Sequence, residues 1–174
     1  MFIFENLDEK TRSYMVAAID QAEKTNNIYF SRRFNALGNQ KWVSLLREAA
    51  QLYDEHWLAF QIEALVLMKE FEGSRTPSGG YTTKHVPSTS SETLSEGQFN
   101  RFYILGLCVR AKSEGKNKVI VYRAKSRKDP RLESEALIGA AQPVEQLISE
   151  LQDVNISIKN PLLQPNSGLS VKLP

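Results

Sequence analysis

The sequence predicts an α+β fold that is mostly α-helical: a helical N-terminal part, then a helix-strand-helix unit with an extended C-terminal arm. Three observations lead to this prediction. Apolar residues recur near helical spacing from Leu7 to Ala22, and residues 40–71 are mostly good helix formers. One β-branched and aromatic run, residues 118–124, has the composition of a strand. Residues 154–174 hold three prolines and scattered aliphatic residues, a pattern typical of an extended segment.

The N-terminal part is expected to consist of helices. Asn6 and Glu9 have the spacing of a capping box, so a first helix should begin there, and the asparagine pair 26–27 should end it. Residues 40–71 contain no Gly or Pro. Their composition favours one long helix, or two helices with a bend near Asp54.

The middle of the chain should hold a long connection and a second helix. Residues 73–93 are rich in Gly, Ser, Thr and Pro and lack apolar periodicity, which predicts the main loop or linker. Thr93 and Glu96 then have capping-box spacing. They predict a helix over residues 94–113, with Gly115 as its left-handed stop.

Residues 118–124 should form a strand, whose backbone groups need a pairing partner. The candidates are the connector near Tyr29, residues 81–86, the C-terminal tail or another chain. Pro143 should open a short amphipathic helix. These elements predict one compact domain with an arm, divided into a helical part (1–72), a loop or linker (73–93), a helix-strand-helix unit (94–153) and an extended tail (154–174).

The formal net charge of +2 conceals an uneven distribution. Residues 1–72 and 132–174 each carry a net charge of −3, and residues 73–100 are neutral. Residues 101–131, which we call the basic segment, carry a net charge of +8. Because a field depends on local charge, we interpret this segment as the strongest functional indication in the sequence.

Nucleic acid is one partner that the basic segment fits. Its cations would each neutralise a phosphate, and binding would then depend steeply on salt. The alternative interpretation is that these charges face the acidic flanking segments of the same chain or of a neighbour. The candidate phosphate or nucleic-acid contacts are Arg110, Lys112, Lys118, Arg123, Lys125, Arg127, Lys128 and Arg131.

Two apolar regions suggest contacts with a partner protein. The second half of residues 40–71 is apolar on more than one helix face, which is typical of a central helix or of one that faces another subunit. The C-terminal tail is able to add a strand to a neighbour. The candidate partner contacts are Trp57, Phe60 and Phe71 in the first region and Leu162, Leu163, Leu169 and Val171 in the second.

Most enzyme classes lack their characteristic residues in this sequence. It contains no nucleophile elbow, no zinc-protease motif and no dinucleotide fingerprint. Its single cysteine, Cys108, falls within a predicted helix and should be a buried, inert thiol. We therefore expect no catalytic residue, no cofactor and no metal.

Two enzymatic alternatives are nevertheless possible. A metal nuclease would use Asp129, Glu133 and Glu135 as ligands. An ADP-ribosyltransferase would use Arg123, the serine-rich residues 88–91 and the same two glutamates, although their order along the chain differs from the order in that family.

Three blocks of the sequence together resemble an uncharacterised protein group that is associated with tailed-phage and prophage genes. The blocks are residues 96–103 (EGQFNRFY), 121–125 (VYRAK) and 130–135 (PRLESE). The resemblance covers about the middle quarter of the chain. It implies a virion protein or another phage-encoded protein, and it assigns no activity and no functional residues.

These observations favour a non-enzymatic structural or assembly protein of a phage virion, which packs through its helices and its C-terminal arm. Its partners would be copies of itself or other assembly proteins, with nucleic acid as the alternative and a phage enzyme as a second alternative. The N-terminus lacks the basic and apolar regions of a signal peptide, and no apolar run is long enough to span a bilayer. We expect no membrane contact, no secretion by signal peptide, and a location in the bacterial cytoplasm or the virion.

Overall fold

The computed structural model describes residues 1–77, 79–126, 128–157, 159–165 and 167–174. It has an α+β fold that is mostly helical, with 52 % helix and 15 % strand. The helices are α1 (Glu9–Lys24), α2 (Ala36–Leu52), α3 (Glu55–Ala64), α4 (Ser90–Ser113), α5 (Leu132–Leu137), α6 (Val144–Gln152) and α7 (Val154–Ser157), and a 3₁₀ turn covers Pro161–Leu163. The strands are β1 (Phe71–Arg75), β2 (Tyr81–His85), β3 (Lys118–Arg123), β4 (Ala141–Pro143) and β5 (Leu169–Lys172).

Helix α1 is capped by Asp8 and not by Asn6, so its predicted start was wrong. The Asp8 carboxylate accepts a hydrogen bond from the backbone N–H of Thr11 at 2.9 Å. The Asn6 side chain instead accepts from the N–H of Leu173 at 2.9 Å, because the two ends of the chain meet there. The predicted end is confirmed, since Asn26 follows the helix with a left-handed φ of 55°.

Residues 36–64 form two helices that meet at Asp54, the second of the two predicted arrangements. Asp54 caps α3, with its carboxylate accepting from the N–H of Trp57 at 2.9 Å. The prediction of helix as far as residue 71 was wrong. Val66 has a φ of 51°, a left-handed conformation from which a right-handed helix cannot continue.

A β-hairpin occupies much of the predicted loop over residues 73–93, so that prediction was also wrong. Strands β1 and β2 pair antiparallel, with Phe71 opposite His85 and Arg75 opposite Tyr81. Gly79 takes a φ of 85° between the strands, where a side chain would be strained. The sequence shows no alternation of apolar and polar residues here because β2 is exposed at every position.

Helix α4 runs through the centre of the molecule. It begins at Ser90 and not at Leu94, so the predicted capping box is not its start, whereas its end at Ser113 and the left-handed Gly115 are confirmed. Gly106 allows α1 to pack closely against it, since an added Cβ would lie 2.8 Å from the backbone nitrogen of Met15. Helices α1, α3 and α6 pack around α4 and bury most of its second half.

The predicted strand at residues 118–124 is confirmed as β3, which lies between β4 and β5 in an antiparallel sheet. Its partner β5 comes from the C-terminal tail, with Val121 opposite Val171. The predicted helix after Pro143 is confirmed as α6. The tail therefore completes the sheet of its own chain and is not an arm held out to a neighbour.

One hydrophobic core connects the N-terminal helices with the sheet. It contains side chains from α1, α2, α3, α4 and α6 and from strands β3 and β5, among them Met15, Trp42, Phe102, Val121 and Val171. The N-terminal residues close it from one side, since the Ile3 N–H donates to the Ala124 carbonyl at 2.8 Å. The described residues of strands β1 and β2 contribute no side chain to this core, and most of them are exposed. The hairpin is therefore available to contact other molecules.

Candidate interaction surface

The basic segment faces inward more than its sequence suggests. Its first cation, Arg101, is fully buried on α4 and donates hydrogen bonds to the backbone carbonyls of Leu151 and Asn27. Arg110 lies between two carboxylates, with its Nη1 2.7 Å from Asp8 and its Nε 2.9 Å from Glu114. Neither guanidinium is free on the outer surface to contact a nucleic-acid phosphate.

Two further candidate phosphate contacts, Lys112 and Arg123, form ion pairs with carboxylates of residues 132–174. Lys112 lies 2.8 Å from Glu145. Arg123 pairs with Glu135 and donates to the carbonyl of Ser167 at 2.9 Å. These pairs join the basic segment to its acidic flank, in agreement with the second interpretation of its charge.

Lys125 is the most enclosed of the candidate lysines. Its ammonium group contacts Glu96 and lies 2.9 Å from Glu92. Burial would lower the pKa of Lys125, but the two carboxylates outweigh burial and raise it. The same lysine lowers the pKa of Glu92.

The remaining candidate cations do not form one site. Lys118, Lys128 and Arg131 are exposed, the first at the start of β3 and the other two between β3 and α5. Arg127 lies outside the described residues. The structure therefore does not bring the eight candidates together on one surface.

The candidate partner contacts separate into exposed and buried groups. Phe60 on α3 and Phe71 on β1 are exposed, and Trp57 is half-buried against Tyr53. In the C-terminal tail, by contrast, Leu162, Leu169 and Val171 are buried in the core and Leu163 is half-buried against it. Leu162, Leu169 and Val171 were wrong as partner contacts, because pairing of β5 with β3 places the latter two in the chain's own core and the first packs into that core from the 3₁₀ turn.

The hairpin, residues 71–85, has unpaired outer edges. At its two ends, the Val86 N–H donates to the Glu70 carbonyl at 2.9 Å and the Thr76 N–H donates to the Gly80 carbonyl at 2.9 Å. Hydrogen-bonded pairs alternate along an antiparallel ladder. The backbone N–H and C=O groups of Phe71, Gly73 and Arg75 on β1 therefore point away from β2.

By the same alternation, the backbone groups of Tyr81, Thr83 and His85 point away from β1. Among the described residues, none hydrogen-bonds to these three outward N–H groups. An unpaired edge of this kind is a template for another strand.

One face of the hairpin carries aromatic and basic side chains. Register places Phe71 beside His85, with ring centroids 4.3 Å apart, and Arg75 over the ring of Tyr81 at 5.6 Å. Thr83 lies between them on the same face. We call this the outward face, and all of its side chains are exposed, Tyr81 at 77 %.

The opposite face of the hairpin is anchored to the body of the protein. Glu72 on β1 is buried and accepts two hydrogen bonds from Arg33, at 2.8 and 3.0 Å. Lys84 lies 3.6 Å from the same carboxylate. The Arg33 guanidinium holds the pKa of Glu72 below its usual value, although burial opposes that shift. This anchor fixes the direction in which the outward face and the edges point.

The hairpin was missed because its polar strands carry no signal of burial. Thr-Pro-Ser-Gly-Gly lies between two short runs, FEGSR and YTTKH, each of which contains an aromatic residue. That turn chemistry between two such runs was the available indication of a hairpin.

The residues of the two enzymatic alternatives are not joined in one site. Among the described residues, no group of three His, Cys, Asp or Glu side chains could hold a metal ion, and Asp129, Glu133 and Glu135 are among the residues described. Arg123 contacts Glu135, whereas Ser90 and Ser91 bond to Arg33 and Glu63 at the start of α4. Cys108 is buried, and burial raises its pKa to about 12.

Within the described ranges, every helix is too short or too polar to cross a membrane. Comparisons of the chain with protein-family models, with curated proteins and with solved structures find no match.

Proposed function

We propose that the protein is a non-enzymatic assembly protein that associates with copies of itself through the β2 edge of the hairpin. The observation that carries this proposal is the set of outward N–H groups at Tyr81, Thr83 and His85, to which no described residue is hydrogen-bonded. A two-stranded hairpin is marginally stable alone, and pairing with a third strand would stabilise it.

A second copy of β2 fits this edge in a symmetric register that pairs all three of its outward residues. If two β2 strands pair antiparallel about Thr83, then Thr83 faces Thr83, and Tyr81 faces His85 of the other copy. All of these residues have outward backbone groups, so each facing pair forms hydrogen bonds. Closed two-fold pairing of this kind is the commonest form of self-association.

The side chains support the same register. Tyr81 would pack against an aromatic ring, and Lys84 would face Thr82, so no like charges oppose each other. The β1 edge is less suitable, because Gly73 at its centre offers no side chain to pack. In the paired form, the outward faces of the two hairpins would make one four-stranded surface.

The resemblance to a protein group of tailed phages and prophages supports a role in virion assembly, with the protein in the cytoplasm of the bacterial host or in the particle. The hairpin then has the role that the sequence suggested for the C-terminal arm. Exposed apolar side chains, such as Phe60 on α3, are the candidate contacts for other assembly proteins.

The experiment is sedimentation velocity on the full chain, from about 5 µM to about 500 µM, a range that covers weak self-association. We expect a monomer at low concentration and a dimer at high concentration. The test variant is Thr83→Pro, which removes one outward N–H and leaves the inward hydrogen bonds of the hairpin in place.

We expect Thr83→Pro to weaken dimerisation at least tenfold, about 1.4 kcal/mol, with an unchanged circular dichroism spectrum. The matched control is Thr83→Val, which keeps the N–H and the β-branched shape and should dimerise like the native chain. A native chain that stays monomeric throughout, or a Thr83→Pro chain that dimerises equally well, would contradict the proposal.

A further inference from the structure

A groove between α1 and α4 has a volume of about 380 Å³. Its wall on α1 is made of small side chains, Ala17, Ala18 and Ala22, and its wall on α4 contains Leu105 and Val109. The alanines leave the space that larger residues would fill. The volume lies near the lower end of the range for small-molecule sites, about 300–1,000 Å³.

Arg101 supplies a positive charge beneath the wall of this groove, on a side chain that has no exposed surface. Its guanidinium donates to the Leu151 carbonyl at 2.8 and 3.1 Å and to the Asn27 carbonyl at 3.1 Å. Among the described residues, no carboxylate forms an ion pair with it. Burial lowers the pKa of Arg101 to about 10, and the charge of Asp153 opposes that shift.

The charge of Arg101 is therefore present at neutral pH and is balanced only in part. Backbone carbonyls carry partial charges, which compensate a buried cation less fully than a carboxylate does. A negative group placed in the groove would be attracted across a medium of low dielectric. This is why the groove favours an anion over a neutral molecule of the same shape.

The rim of the groove is polar. Gln21 and Thr25 from α1 and its C-terminal end, and Gln152 from α6, lie beside the apolar walls. An apolar pocket with a few polar groups around it is the usual form of a small-ligand site. The apolar walls favour a ligand with a hydrocarbon chain, and the buried charge of Arg101 favours an anionic group at one end of that chain.

We propose that the groove between α1 and α4 binds a small amphiphilic carboxylate, with its apolar body against Ala18 and Leu105 and its carboxylate directed toward Arg101. This site is distinct from the hairpin, so it does not depend on the proposed self-association. It would make the protein responsive to an organic acid.

The experiment is isothermal titration calorimetry of the full chain with octanoate. The uncharged control ligand is 1-octanol, which has the same number of carbon atoms. We expect octanoate to bind, and 1-octanol to bind at least fivefold more weakly. The variant Ala18→Phe fills the groove from α1 and should weaken octanoate binding at least tenfold. Ala64→Phe, at the exposed end of α3, is the matched control and should bind octanoate like the native chain.

Arg101→Met tests the charge separately, and we expect it to remove the preference for octanoate over 1-octanol. Because this variant also loses hydrogen bonds inside the core, Ala18→Phe tests the groove independently if Arg101→Met fails to fold. No octanoate binding by the native chain, equal binding of the two ligands, or unchanged binding by Ala18→Phe would each overturn the proposal.

Discussion

The basic segment and the hairpin use polar residues in opposite ways. In the basic segment, Arg101 is buried and Arg110, Arg123 and Lys125 are held by carboxylates or carbonyls of the same chain. In the hairpin, the outward backbone N–H groups of β2 have no partner among the described residues. The basic segment, although it carries more charge, therefore has more of its polar groups paired within the chain than the β2 edge has.

The difference teaches that charge density along a sequence does not identify an interaction surface. Cations between acidic flanks are able to join the elements of one domain, as Lys112 joins α4 to α6 through Glu145. A short strand with ordinary composition becomes available to a partner when its edge is left unpaired. A polar group is available to another molecule when it has no hydrogen-bond or ion-pair partner in its own chain. The composition of the surrounding sequence does not show this.

Arg101→Met should give the largest effect, because it removes the most deeply buried member of the basic segment. The carbonyls of Leu151 and Asn27 would lose their donor inside the protein. Leaving buried acceptors unpaired should lower the free energy of unfolding by about 3 kcal/mol. Urea denaturation measures this loss, and Lys128→Met, at an exposed position, should change the same quantity by less than about 0.5 kcal/mol.

Lys125→Met should give the next largest effect. It leaves Glu92 and Glu96 close together without their shared cation, at a site where the Lys125 side chain is only 14 % exposed. We expect the free energy of unfolding to fall by about 1–2 kcal/mol. The same substitution at the exposed Lys118 should have little effect, and equal losses at the two positions would break the distinction between paired and exposed cations.

Acid should weaken the ion pairs of the basic segment, because it protonates the carboxylates that pair with its cations. Lys10 and Arg110 lower the pKa of Glu114 to about 2. Burial would raise the pKa of Asp8, but the Thr11 N–H and Arg110 outweigh burial and lower it. Carboxylates with lowered pKa values stabilise the fold above their unfolded values of 4.5 and 3.8, and this contribution is lost as the pH falls through the folded values.

The temperature at the midpoint of thermal unfolding should therefore decrease as the pH is lowered from about 4.5 to about 2. Glu114→Gln should reduce the slope over this window, whereas Glu133→Gln, at an exposed position on α5, should not. Scanning calorimetry across the window measures both slopes. Identical slopes for the two variants would show that the pair at Arg110 contributes nothing to acid stability.

Tyr81→Ala should have the smallest effect on global stability. The side chain is exposed and contacts Arg75 within the hairpin, away from the core. We expect the free energy of unfolding to change by less than about 0.5 kcal/mol, while the inward amides of the hairpin exchange faster with solvent. A large global loss in urea denaturation would show that the hairpin is part of the core cooperative unit.

The helices were predictable from apolar residues at helical spacing and from helix-forming composition, and β3 was predictable from its β-branched and aromatic residues. The end of α1, the break at Asp54, β3 and the helix after Pro143 all agree with the sequence patterns. The start of α4 was not predictable from Thr93 and Glu96, since a capping box also occurs inside a helix. Capping-box spacing marks the start of a helix only when the residues that precede the box are not themselves helical.

The interaction surface was less accessible to sequence reasoning. The pairing of β5 with β3 joins residues far apart in the chain, so the sequence offered the C-terminal tail only as one of four candidate partners of the strand. The ion pairs of the basic segment are also long-range, as between Arg110 and Asp8. The hairpin has no buried face pattern, and its unpaired edge follows from the register of β1 and β2.

The most direct test of the central claim is amide hydrogen exchange at β2, measured at about 10 µM and at about 500 µM protein. If two copies pair through this edge, then the outward amides of Tyr81, Thr83 and His85 should exchange more slowly at the higher concentration. Amides in the core helix α4 should be unchanged. Exchange of the three outward amides that is fast and independent of concentration would contradict the account.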